Sequence, residues 1–344
     1  MKTIGLHGTM NALVLLALLL VTAGCAVKPG THNDRPDDAI IVGGQFYRIG
    51  TPVVTWIDLG GLNAYRVDKQ YAPWSEAQWD DYKDDPDMPG YAGPQRYGWR
   101  IDRFNNGRPD FTEEEINAVR FNWPLETLQD VVDQFVIHYD VCGTSGVCFD
   151  VLHDHRFLSV HFMLDVDGTI YQSLDLQERA WHAGTANSRS IGIEIANMGA
   201  YPLEGDNPFD TWYDRDEGGT FVTVPNEQTD IRRRQMKPGK YYIARPEPVV
   251  GTINGSTLKQ YDLTEAQYDA LIKLTAALCE IFPKIKNDYP RLEDGTVNPN
   301  ELTDEEFAAF TGLIGHFHET NAKTDPGPAF DWERIRQGVE KELR

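Results

Sequence analysis

The chain has 344 residues, 41% of them hydrophobic and 25% charged, the proportions of a soluble globular protein. Its formal net charge of −21 argues against a nucleic-acid surface, which needs clustered lysine and arginine. The same charge argues against any general attraction to an anionic polymer, so recognition of one has to be local.

Residues 1–24 read as a targeting segment. Lys2 is its only charge, and Ala12 to Val21 is an apolar run too short to span a bilayer, which indicates a signal peptide. Thr22-Ala23-Gly24 then precedes Cys25. Small residues before a cysteine resemble the bacterial lipoprotein cleavage box, with Thr22 where leucine is usual. The expectation is lipidation at Cys25 and membrane attachment through that lipid. Ala26 follows rather than aspartate, which by the same resemblance favours the outer membrane, facing the periplasm. Residues 25–38 are polar, contain Pro29, Gly30 and Pro36, and read as a tether.

Residues 39–124 form a β-rich and loop region. The runs AIIV, QFYRI, PVVTWI and NAYRV alternate with glycine turns and predict a small antiparallel unit. Asp80, Asp81, Asp84, Asp85 and Asp87 cluster, but Pro86 and the spacing do not fit an EF-hand calcium loop; a solvated loop is expected. Thr112 and Glu115 match a capping box for a short helix through Arg120.

Strands and helices mix from Leu125 onward, which indicates an α/β fold. A helix over Leu125–Asp133 follows Pro124, and an apolar strand over Gln134–His138 ends in His138. Cys142 and Cys148 enclose five residues. In an oxidising compartment a small disulfide loop is expected, with free thiols and a metal pair as alternatives. His153 and His155 are assigned to the surface. Asp165-Val166-Asp167-Gly168 marks a hairpin between Ser159–Leu164 and Thr169–Ser173. In the strand Ser190–Ala196, alternation places Ile191, Ile193 and Ile195 on one face and Gly192 and Glu194 on the other. Residues 201–260 read as a polar insertion whose Arg232-Arg233-Arg234 run is exposed. Thr264 and Gln267 form a second capping box, opening a helix with Tyr268, Leu271, Ile272, Thr275, Leu278, Cys279 and Phe282 on one stripe, ended by Pro283. Cys279 is a small buried hydrophobe in that reading. A last helix covers Trp332–Leu343.

The chemistry concentrates in Gly315–Pro328, which holds His316, His318, Lys323 and Asp325. Histidine and aspartate are ordinary zinc ligands, and two from one short loop make half a site. His138 offers a third, which would leave an open position, the catalytic form of zinc. Taken alone, a strand-ending histidine is more readily a satisfied core residue.

Three stretches occur in order: the strand ending at His138; Ser159–Ile195 with DVDGTIYQ, RAWHAG and SIGIEI; and GH…KTDPGPAFDW. They resemble the zinc-dependent N-acetylmuramoyl-L-alanine amidases, the amidase-2 group related to peptidoglycan recognition proteins, over roughly residues 126–338. The resemblance implies a catalytic domain over 125–344, interrupted at about 201–260, with a central mixed sheet flanked by helices and a zinc cleft at one edge. It implies Zn2+ held by His138, His316 and Asp325, with peptidoglycan or muropeptide as substrate. Glu194 becomes the general base, suited to it by a largely apolar wall that raises its pKa. Lys323 becomes the oxyanion stabiliser. His182, in RAWHAG, is expected in the cleft near substrate, and His161 as support for the sheet. His318, two residues past His316, is an alternative ligand if the chain there is extended. Arg189 stands too close to SIGIE to match the arginine with which some relatives bind a diaminopimelate carboxylate. Two other readings compete: a non-catalytic muropeptide-binding module, which usually lacks a zinc ligand, and a zinc peptidase, for which there is no HExxH helix.

Overall fold

The computed structural model describes residues 35–66, 68–77, 97–100, 112, 114, 117, 119, 123–224 and 239–344. The segment 1–24, Cys25, most of the tether, the aspartates between Asp80 and Asp87, Glu115 of the first capping box and Arg232-Arg233-Arg234 lie outside the described residues.

The apolar run Phe135–Ile137 in Gln134–Tyr139 and the alternating isoleucines of Ser190–Ile195 make strands whose two faces bury different side chains. They are the middle of a six-stranded sheet in the order Gly312–Gly315, Gln134–Tyr139, Ser190–Ile195, Phe162–Leu164, Ile170–Gln172, Val53–Thr55. The first four strands run parallel. The hairpin pair Phe162–Leu164 and Ile170–Gln172 is antiparallel, so the sheet is mixed as expected. Parallel strands need cover on both faces. Phe135, Ile137, Ile191, Ile193 and Phe162 pack on one side against the helices Glu265–Ile281 and Trp332–Glu342 through Leu271, Leu274, Leu278, Ile335 and Val339. Each such fully buried side chain contributes about 1.5–3 kcal/mol. The long helix opens with the capping box of Thr264 and Gln267, an end worth about 1 kcal/mol.

The opposite face carries Val136 and Ile314 against Ala183 and Ala186, and Met163 and Tyr171 against Phe149 and Leu152. This face leads to the cleft.

One region departs from expectation. In the N-terminal region, Ala39–Val42 and Gln45–Arg48 pair as an antiparallel hairpin, but Val53–Thr55 joins the main sheet as its edge strand, parallel to Ile170–Gln172. Asp37–Arg344 accordingly forms one unit. The 201–260 insertion carries strands of its own. It builds one antiparallel sheet from Tyr201–Pro202, Val249–Ile253 and Ser256–Gln260, and another from Tyr213–Asp216, Gly219–Val222 and Tyr241–Tyr242. Its Phe209, Trp212, Tyr213 and Val222 share an apolar cluster with Val166, Ala196 and Met198 outside the insertion. Among the described residues no helix is long and apolar enough to cross a membrane.

Candidate active site

Sheet register assembles the site. Ile137 lies opposite Gly315, and His138 lies opposite Glu194, in neighbouring parallel strands. The next residue after each of Ile137 and Gly315 is a histidine. His138 and His316 therefore emerge side by side at the carboxyl ends of adjacent strands, their ring centroids 4.6 Å apart. Crevices at that end are where open α/β sheets hold ligands.

Asp325 completes the group. Its Oδ2 accepts from His138 Nδ1 at 2.7 Å and from His316 Nδ1 at 3.1 Å. Burial alone would push this carboxyl up, but the two imidazole hydrogen bonds hold it well below the usual carboxylate range. It is an acceptor only, so each facing Nδ1 is the donor. Burial pushes His138 down, which favours the neutral form a metal ligand requires. The three ligand atoms lie within 4.8 Å of one another, and all three residues are buried. Two imidazoles and a carboxylate aimed at one point suit the donor set and size of a zinc ion.

The Asp325 loop is clamped by the inserted segment. Gln260 Nε2 donates to the Pro326 carbonyl at 3.0 Å, and its Oε1 accepts from Ala329 N at 2.9 Å. Asn254 Nδ2 donates to the carbonyls of Phe317 and Lys323 at 3.2 and 3.3 Å. Sequence reading missed these two residues, because nothing local ties an amide in a polar insertion to a loop far along the chain.

A cleft of about 280 Å³ opens beside the cluster. Glu194, Lys323, His182, Trp181, Arg156, Asp140, Cys142 and Cys148 line it. Glu194 and Gly192 lie on the cleft side of their strand while the three isoleucines enter the core, as alternation requires. Burial, reinforced by Asp325 and Asp140, pushes the Glu194 carboxyl well up, with Lys323 pulling the other way. Asp140, two residues beyond His138, was missed. Burial raises it to about 7 against three backbone N–H donors. Strand alternation was the available signal.

His182 lines the cleft, the position expected of it. Its Nδ1 sits 3.0 Å from His138 Nε2 and its Nε2 3.3 Å from Ser190 Oγ, so it borders the cleft while bonded to a ligand-group residue. His318 is not placed to replace His316. Residues His316–Glu319 are helical rather than extended, and His318 points away, accepting from Gly315 N at 2.9 Å and donating to the Asn298 carbonyl at 2.8 Å. His161 supports the sheet, its Nδ1 accepting from Gly192 N at 3.1 Å.

Two further assignments change. His153 is buried, not superficial: it stacks on Phe149 and bonds Asp154, because the chain there makes a wide π-helical turn over Asp150–His155. His155 is exposed as expected. Cys142 and Cys148 lie together, but as two thiols rather than a disulfide. Their mutual hydrogen bond and burial push the Cys148 thiol up. Arg189 is committed to structure. It pairs bidentately with Asp133 at 2.6 and 2.8 Å and donates to the carbonyls of Phe307, Ala308 and Phe310.

The profile of the N-acetylmuramoyl-L-alanine amidases matches residues 128–328, more than half the chain and the whole cluster from His138 to Asp325. The chain belongs to the N-acetylmuramoyl-L-alanine amidase family. Among curated proteins, this amidase-family chain is similar to the 1,6-anhydro-N-acetylmuramyl-L-alanine amidase AmpD of Escherichia coli (strain K12), at 26% identity over 197 residues, 55% of this chain and 62% of that one. AmpD of Salmonella typhimurium (strain LT2) is 24% identical over 183 residues, 53% of this chain and 57% of the relative. The chain thus spans less than two thirds of either relative. Among solved structures it is similar to the Escherichia coli amidase AmiD in complex with anhydro-N-acetylmuramic acid-L-Ala-D-gamma-Glu-L-Lys, at 19% identity, 64% of this chain, 60% of that chain and a TM-score of 0.33.

Proposed function

We propose that the chain is a zinc-dependent N-acetylmuramoyl-L-alanine amidase that hydrolyses the amide between the lactyl group of N-acetylmuramic acid and L-alanine, in peptidoglycan or muropeptides, for cell-wall turnover or recycling. What carries the reading is the convergence of His138, His316 and Asp325 beside Glu194 and Lys323 in one cleft. His138, His316 and Asp325 would hold the ion. When bound, zinc would supply Lewis-acid polarisation of the carbonyl and a more acidic water.

The chain's own groups account for the proton transfers. Glu194, with its raised pKa, takes a proton from the attacking water as the O–C bond forms. It returns that proton to the amide nitrogen as the C–N bond breaks, so the products are a free carboxylate and a free amine. Lys323 holds a positive charge at the cleft wall, where negative charge develops on the attacked oxygen. Arg156, also on the wall, is suited to a carboxylate of the peptide stem. With Arg189 locked to Asp133, Arg156 is the better-placed arginine for that role.

We further propose lipidation at Cys25 and an outer-membrane location facing the periplasm. The support is Lys2, the Ala12–Val21 run, Thr22-Ala23-Gly24-Cys25 and Ala26.

The test is mass spectrometry of murein and muropeptide fragments after digestion, with and without a chelator. Release of stem peptides with a free L-alanine amine, lost on chelation and restored by zinc, is expected. Unchanged fragments, or cuts only between peptide residues, would end the assignment.

A further inference from the structure

A neutral imidazole carries one proton, and the nitrogen that binds a metal must be bare. His138 turns Nδ1 toward Asp325 and His316, so in the loaded protein its proton has to sit on Nε2. That N–H is buried and needs an acceptor. The group facing it is His182 Nδ1, at 3.0 Å. If His182 accepts there, its own proton sits on Nε2, which faces Ser190 Oγ at 3.3 Å. Without a metal the demand reverses. Asp325 then requires a proton on His138 Nδ1, His138 Nε2 becomes the acceptor, and His182 must donate from Nδ1. Ser190 permits both directions, because a hydroxyl can donate or accept.

The His182 ring is fixed by its surroundings. Gly192 lies beneath it so closely that an added Cβ would stand 2.5 Å from ring atoms Cε1 and Nδ1. Asn187 Oδ1 accepts from the backbone N of His182 at 3.0 Å and of Ala183 at 2.7 Å.

We propose that His182 is a positioning residue, part of a reversible tautomer relay from His138 through His182 to Ser190 that holds His138 ready for the metal. The proposal rests on the metal-centre reading above, and it replaces the expectation that His182 binds substrate. Partners of this kind typically change metal affinity by about 10–100-fold when removed.

The experiment is a zinc titration of the full chain against a competing chelator, with 15N-labelled histidine followed by NMR. On zinc binding the His182 proton should move from Nδ1 to Nε2. His182→Ala should weaken zinc binding by about 10–100-fold. His182→Asn, whose amide can turn either its donor or its acceptor toward His138, should recover most of that loss. Gly192→Ala, which removes no polar group, should reproduce the His182→Ala defect by displacing the ring. The double variant should lose little more than either single one. An unchanged His182 tautomer, or wild-type zinc affinity in His182→Ala, overturns the proposal while leaving the metal centre standing. A KM increase with unchanged zinc affinity would return His182 to the substrate and overturn it too. A wild-type chain that binds no zinc defeats the metal-centre reading, and the relay with it.

Discussion

His161 and His318 are fully buried, His138 and His316 nearly so, yet the two pairs sit in different chemical company. Around His161 and His318 both ring nitrogens meet backbone groups: N–H of Gly192 and carbonyl of Glu178 for one, with the Arg100 guanidinium 3.2 Å from the same Nε2, and N–H of Gly315 and carbonyl of Asn298 for the other. The His318 ring has one nitrogen accepting and one donating, a satisfied neutral imidazole, and burial, joined at His161 by the Arg100 charge, pushes both pKa values down to about 3. Around His138 and His316 the shared partner is the carboxylate of Asp325 at the edge of an open cleft. Burial therefore does not separate structural from functional histidines here. The setting does: the His161 and His318 rings are tied to backbone groups, whereas His138 and His316 share one carboxylate beside the open cleft.

The largest effects should fall on the cleft pair. His316→Ala should abolish tight zinc binding and activity together, because it removes one of three proposed ligands. Retained stoichiometric zinc in that variant would move the metal elsewhere. Glu194→Gln should keep zinc but lower kcat by roughly 10²–10⁴, the usual cost of losing a general acid–base group. Since Glu194 is pushed up from the ordinary 4.5, and the base must be ionised to act, the acid limb of kcat/KM should lie above that value and vanish in Glu194→Gln. An acid limb unchanged in the variant would assign the titration to another group.

His318→Ala sharpens the other side of the comparison. It strands the Gly315 N–H and the Asn298 carbonyl, each at a cost of about 1–3 kcal/mol if left buried and unpaired. Denaturant unfolding should show that loss, while the folded fraction keeps its zinc. Loss of zinc without loss of stability would make His318 the ligand after all.

What the sequence made legible follows the same division. Period-two alternation in Ser190–Ile195 sent the isoleucines to the core and Glu194 to the cleft, and Thr264 with Gln267 announced a helix end, because both signals are local. The cluster of His138, His316 and Asp325 was suggested only by an ordered set of motifs, since alternation does not say that Ile137 faces Gly315. Long-range pairings left no such trace. Val53–Thr55 carries nothing to show that it will join Ile170–Gln172, and Asn254 and Gln260 look like ordinary insertion residues until the Asp325 loop is placed against them. His153 was placed on the surface together with His155, whereas the π-helical turn carries it inward.

The last effect falls on stability rather than catalysis and concerns two buried carboxylates. Burial raises Glu194 in the cleft and also raises Asp165, which lies outside the cleft-lining residues, to about 8, with Asp167 and Asp140 adding to it. If location decides use, Asp165 should register in stability and not in catalysis. Its ordinary value is 3.8, so between there and about 8 the folded chain holds a proton that the unfolded chain releases. This group's contribution is therefore full below the unfolded value and declines as pH rises through the window. Asp165→Asn keeps an oxygen for the Ser145 N–H, now 3.2 Å from Asp165 Oδ1, and does not titrate. Urea unfolding of both proteins across that window should show the variant gaining on the wild type by up to about 1.4 kcal/mol per pH unit, with kcat/KM profiles that superimpose. Parallel stability curves would show Asp165 ionised throughout, and a displaced kinetic profile would mean that the cleft and this carboxylate titrate as one system.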